Sequence, residues 1–155
     1  ASGTGAARVT TLAGSTCGYA DGVGPKVKFN QPTGVDVTSD GTILVADRGN
    51  NCIRCIRPSD AHVWTLATRG NYGYCSSIYS PVDVAVDGQG VVVVALAHCI
   101  GLIRGGQLIT LDGVQVTSTT SVAIDQLGSI VLTDFDKVNR VSSIRKLEAC
   151  LTPPL

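Results

Sequence analysis

Three stretches of this chain repeat one another in order, and that repetition limits its fold more tightly than any other feature. Pro32 recurs as Pro81, and Gly41 recurs as Gly90 and Gly128. Val35 and Val37 are answered by Val84 and Val86, then by Val122 and Ile124. ILVAD at 43–47 becomes VVVAL at 92–96 and IVLTD at 130–134, while NCIRCI at 51–56 becomes HCIGLI at 98–103 and aligns with NRVSSI at 139–144. VTTLAG at 9–14 returns as VWTLAT at 63–68 and LITLDG at 108–113. The glycine-to-glycine steps are 49 and 38 residues; the second is shorter because a Gly- and Tyr-rich loop has shrunk to 114–119.

Within a unit the local pattern is β. Val, Ile and Thr dominate short apolar runs separated by turn residues, and the chain has 18 glycines, one Glu and no Met. Strands are expected at 9–13, 34–38, 42–46, 52–56 and 62–67, with Ser39-Asp40-Gly41 as a hairpin turn. The middle strands are apolar on both faces. A lone four-stranded sheet cannot bury two apolar faces, whereas stacked sheets bury both. A period of roughly 40–50 residues with four short strands per unit therefore predicts an all-β fold, a β-propeller segment of about three four-stranded antiparallel blades. The units run over about 9–67, 68–113 and 114–152.

Residues 9–56 resemble the NHL-repeat family. The motifs that carry the resemblance are TLAG at 11–14, GYADG at 18–22, FNQPTGV at 29–35, VAD at 45–47 and NCIR at 51–54. It fades in the second unit, where Leu96 replaces the Asp, and partly recovers at Asp134. The resemblance implies a propeller, usually six-bladed, that serves as a binding platform. Three units make at most a partial or half propeller, since closure needs at least four blades. Val9, Thr10, Thr11, Leu12 and Ala13 read as the outer strand of a blade whose inner strands do not precede it, and 149–152 is a poor fourth strand for the third unit. Strand donation between copies would satisfy both ends and give a ring or a filament. These five residues, with Trp64 as an exposed anchor, are the expected interface; core packing is the alternative for Trp64, which shares a strand face with Leu66.

Charge and cysteines bound the rest. Twelve basic residues balance twelve acidic ones, so no basic excess favours nucleic acid or an anionic membrane, and Arg48, Arg54 and Arg57 read as strand-end charge. The longest apolar run, 91–97, is strand length, so no membrane insertion is expected. Without an initiator Met the chain reads as a mature or excised segment. Six cysteines at low charge lean towards an oxidising, extracellular setting; free cysteines in an apolar β core, in a cytoplasmic setting, are the alternative. Cys17 and Cys75 fall in equivalent loops and are disulfide candidates; Cys150 is a third, open to an intermolecular bond.

Chemistry is sparse in the pattern. Cys52 and Cys55 form a CxxC on a strand, where positions three apart point to opposite faces, so one metal does not take both. Asp47 and Asp134 end equivalent strands and are expected to accept backbone N–H bonds in the following turn. Asp36 and Asp83, on inner strands, are candidates for a channel site. His62 and His98 are isolated. No catalytic residue, metal ligand or cofactor is therefore expected. The function expected is a non-enzymatic structural or protein-interaction module whose partner is protein, chiefly further copies of itself. The alternatives are a propeller enzyme, a lyase or hydrolase with a channel metal, and an RNA-binding NHL domain.

Overall fold

The computed structural model describes residues 7–68, 78–104, 107–111 and 114–148. It is all-β, with three antiparallel sheets stacked as successive propeller blades. The first blade contains β2 (Pro32–Val37), β3 (Ile43–Asp47), β4 (Cys52–Arg57) and β5 (His62–Thr68), ordered from the inner strand outwards. A two-residue strand, β1 (Gly22–Val23), adds to its outer edge by pairing with β5. The second blade is β6 (Pro81–Val86), β7 (Val92–Leu96), β8 (Ile100–Arg104) and β9 (Gln107–Thr110). The third is β10 (Thr119–Ile124), β11 (Ile130–Asp136) and β12 (Val141–Leu147). The fourth strand expected at 149–152 lies outside the described residues.

The repeated glycines set the inner hairpins. Gly41, Gly90 and Gly128 have φ of +85°, +80° and +78°, and each donates its N–H to the carbonyl three residues back. A side chain is strained there, which is why glycine recurs at that point in each unit.

Each blade has a rear face, turned to the preceding unit, and a front face, turned to the next. Alternation along a strand sends neighbouring residues to opposite faces. Leu44, Ala46, Ile53 and Cys55 on the front of the first blade meet Val84, Val92, Val94 and Leu96 on the rear of the second. Ala85, Val93, Ala95, Ile100 and Leu102 then meet Val122, Ile130 and Leu132 in the same way. Each Val, Leu or Ile side chain among them taken from water contributes about 1.5–3 kcal/mol. The residue three before each inner strand enters these layers as a wedge: Ile78 in the first core, Val116 in the second, and Phe29 against the rear of the first blade.

Two expectations are corrected. Val9–Ala13 is not a strand: the segment has no sheet partner, and Val9 is 98% exposed. The end of the segment is held elsewhere: Ala13 packs against the cluster of Val27, Val45 and Val63, and the Gly14 N–H bonds to the Gly24 carbonyl at 3.1 Å. The third repeat also has a different register. β12 pairs Leu147 with Ile130, Arg145 with Leu132 and Ile144 with Thr133, where β4 pairs Ile56 with Ile43, Arg54 with Val45 and Ile53 with Ala46. The counterpart of NCIRCI is thus SSIRKL at 142–147, three residues beyond NRVSSI. The extra residues form a turn in which Asp136 accepts the N–H groups of Val138 and Asn139.

Candidate functional site

The most organised polar site surrounds Arg54. This fully buried side chain points to the rear of the first blade, where the loop before β2 crosses it. Nη1 donates to Asp47 Oδ2 at 2.9 Å and to the Lys28 carbonyl at 3.2 Å. Nη2 donates to Asp21 Oδ1 at 2.6 Å and to the Ala20 carbonyl at 2.9 Å. The guanidinium lies 5.0 Å from the Tyr19 ring centre and 5.1 Å from that of Phe29. Five donors in a planar fork suit several acceptors at once, and the aromatic faces add cation–π attraction. Asp47 also accepts the Asn30 N–H and Asn50 Nδ2, both at 2.8 Å. The cluster clasps residues 19–30 onto the blade beneath.

The third blade repeats the arrangement in reduced form. Asp134 accepts the Thr117 and Ser118 N–H groups at 3.0 and 2.8 Å and Arg145 Nη1 at 3.3 Å. Burial pushes the Asp134 pKa up, but the bonds from Ser118, Thr117 and Arg145 outweigh it and leave the carboxyl below its ordinary value. The second blade has lost both partners together: Leu96 stands for the Asp and Gly101 for the Arg. A Cβ on Gly101 would come within 2.6 Å of Leu108 Cδ1, so the outer strand has closed over the vacated place. Sequence reading expected these aspartates to accept N–H groups of the turn after the strand; their backbone partners lie instead in the loop before the inner strand, at Asn30 for Asp47 and at Thr117 and Ser118 for Asp134, and their arginine partners were missed. The Ile-Arg pairs at 53–54 and 144–145 were the available signal.

The inner-strand carboxylates tie blades to one another. Asp36 Oδ2 accepts the Val86 N–H at 2.8 Å. Asp83 Oδ2 accepts the Val122 N–H at 3.0 Å and the Ser121 hydroxyl at 2.8 Å. Both are therefore engaged between blades rather than presented as a ligand pair. The approach is closest at Gly34, where a Cβ would lie 2.6 Å from Asp83 Cα.

Cys52 and Cys55 project from opposite faces of β4, Cys52 towards Asp47 and Cys55 into the first core. Burial, with the Asp47 charge beside it, pushes the Cys52 thiol up to about 12, and burial pushes Cys55 up to about 11. Cys99 is buried in the same core. Cys17 is exposed and donates to Asn30 Oδ1 at 3.3 Å, while Cys75 and Cys150 lie outside the described residues. In a variant carrying Cys75→Ser and Cys150→Ser, a thiol-reactive disulfide reagent is expected to label one cysteine rapidly in the native state. Cys52, Cys55 and Cys99 are expected to react only on unfolding; fast release of two or more thiols would contradict their burial. His98 Nδ1 lies 3.0 Å from the Thr117 carbonyl, and His62 stacks on Trp64. Trp64 itself is half-buried against the first core, as is Leu66, which is the core-packing alternative rather than an exposed anchor.

Four surfaces are open among the described residues, the first being the inner part of the rear face of the first blade, where Val35 is 66% exposed. Another is residues 7–12, which are exposed, while Ala13 packs against the rear of the first blade. The outer edge of β12 has no strand neighbour among the described residues. The front face of the third blade exposes Phe135 and Ile144 around a shallow cleft of about 220 Å³ that Thr133 and Ser142 also line.

Comparison with known proteins matches an NHL repeat to residues 29–56. The chloroplastic protein Suppressor of quenching 1 of Arabidopsis thaliana is 29% identical over 146 residues, covering 84% of this chain and 14% of that protein. Among solved structures, a Xanthomonas campestris gluconolactonase superposes with TM-score 0.60 at 18% identity, over 75% of this chain and 43% of that one. A Bacteroides thetaiotaomicron protein of unknown function gives 0.61 at 18% identity, over 90% and 38%. A luciferin-regenerating enzyme gives 0.58 at 20% identity, over 81% and 47%. The chain thus spans less than half the length of each, and what is shared at these identities is the fold. These neighbours correct one expectation. Blades of this kind carry enzymes in two of the three structures, so the reading of the chain as non-enzymatic is withdrawn.

Proposed function

We propose that this chain, which carries an NHL repeat at residues 29–56, is a propeller-blade module that assembles with further copies of itself by strand exchange. The observation that carries the reading is a pair of unmatched backbones. VTTLA at 9–13 repeats the sequence of β5, the fourth strand of the first blade, yet among the described residues it has no sheet partner and β12 has no strand on its outer edge. Addition of 9–13 from one copy to β12 of another would complete the third blade and satisfy both sets of N–H and C=O groups. Chain order favours this pairing, because in the unit that follows, β5 is likewise the outer strand whose chain leads on to the next blade.

The test is the native mass by light scattering. Twice the 16.0 kDa chain mass is expected for a closed pair, and the Thr11→Pro variant, which also carries Thr10→Pro so that one of the two missing N–H groups faces β12, is expected to abolish it. A wild-type monomer across the micromolar to millimolar range would overturn the proposal. A second reading rests on the named activities of two neighbours: the assembled species encloses a catalytic channel. Turnover of gluconolactone by the pair but not by the Thr11→Pro variant would support it.

A further inference from the structure

We infer that the front face of the third blade is a docking face for the rear of the first blade of a second copy, joined without the carboxylate latch that ties the blades within a chain. This rests on the assembly proposed above and names its second contact.

The two junctions inside the molecule show what covers such a face. Each joins the front of one blade to the rear of the next, and the strand registers identify the counterparts in the third blade. Ala85, Val93 and Ile100, buried in the second junction, correspond to Ala123, Val131 and Ile144. Ile53 and Ile100 are fully buried, whereas Ile144 is 78% exposed. On the opposite side, Val84 and Val122 are buried, whereas their counterpart Val35 is 66% exposed. The rest of the rear face of the first blade already holds its wedge, with Val27 fully buried and Phe29 packed beside it. Each open face therefore carries the half-contact that the other lacks.

The polar groups match in the same way. In the first junction Asp36 Oδ2 takes the Val86 N–H. The third-blade counterpart of Asp36 is Ala123, which offers no acceptor. The first-blade counterpart of Val86 is Val37, and its N–H is already bonded to Asp36 Oδ1 at 2.7 Å within its own strand. Ala85 in the second blade likewise offers none, and there the latch is Asp83, whose third-blade counterpart is Ser121. A front face with neither carboxylate thus faces a rear strand whose Val37 N–H is already satisfied. Two of the five buried front positions have also become polar: Thr133 stands for Ala95 and Lys146 for Leu102. Lys146 reaches aside to Asp125 at 3.0 Å, leaving its stem on the face. A face of this composition tolerates water when open and suits an interface that separates.

The experiment compares Ile144→Lys and Val35→Lys with Thr11→Pro by light scattering over a dilution series. Both positions are exposed in the single chain, and the far-ultraviolet spectrum should not change. Each lysine is expected to weaken association tenfold or more. If wild type is paired, Thr11→Pro separates it and both lysine variants remain paired, the face inference is overturned and strand exchange stands. If the lysine variants separate and Thr11→Pro remains paired, the faces carry the assembly and strand exchange falls. A monomeric wild type overturns both.

Discussion

Arg54→Met is expected to cost about 3–5 kcal/mol of unfolding free energy, the cost of leaving one member of a buried ion pair alone. Asp47 is fully buried and would keep its bonds from Asn30 and Asn50 but lose its one ion-pair partner among the described residues. Loop 19–30 would also lose three hydrogen bonds and the cation between its two aromatic rings. Asp47→Asn should cost less, because Arg54 keeps Asp21 at 2.6 Å. The double substitution should cost less than the sum of the two, since neither charge is then stranded. Urea denaturation of the four proteins of the cycle measures this. Arg145→Met is the internal control: that side chain is 40% exposed, and its loss should cost at most about 1 kcal/mol. Equal costs at Arg54 and Arg145 would mean that burial does not set the strength of the clasp.

Ile53→Ala and Ile100→Ala should each cost about 2–5 kcal/mol, while Ile144→Ala should stay within about 0.5 kcal/mol for the separated chain. The three isoleucines occupy one position in three repeats, so the difference reads only what covers them. Two sit between blades and one does not. Removing three methyl-sized groups from a packed layer leaves a cavity, and removing them from an open face leaves water. The measurement is chemical denaturation at a concentration where light scattering shows single chains. A large loss at Ile144 under those conditions would mean that some other part of the chain covers it.

Most of the blade architecture was legible because its signals are local. The glycines at 41, 90 and 128 demand a left-handed turn, and the apolar runs on either side have strand length. The stacking was legible because β3 and β7 are apolar at successive positions, which one buried face does not require. The register of β12 was not legible from apolar pattern alone, because Asn139 and Ile144 imitate Asn51 and Ile56. A charge pair, Asp134 with Arg145, marks the true register. The segment at 9–13 misled for a different reason. Its sequence encodes the side chains of a strand, but a strand also needs a neighbour, and a neighbour is a property of the surroundings. The roles of Asp36 and Asp83 were hidden likewise: their acceptors serve amides about 39 to 50 residues away.

The joint replacement of Asp and Arg by Leu96 and Gly101 bears on how blades of this type can change. A clasped blade and an unclasped blade are both well packed, but the single substitutions between them are unequal. Losing the Arg first abandons a carboxylate in the interior, whereas losing the Asp first leaves the Arg a second carboxylate, as Asp21 is to Arg54. In the other direction, a side chain at Gly101 needs Leu108 to move aside. The order of the steps therefore matters, and a library that recombines whole blades should keep more folded members than one that shuffles the same substitutions singly.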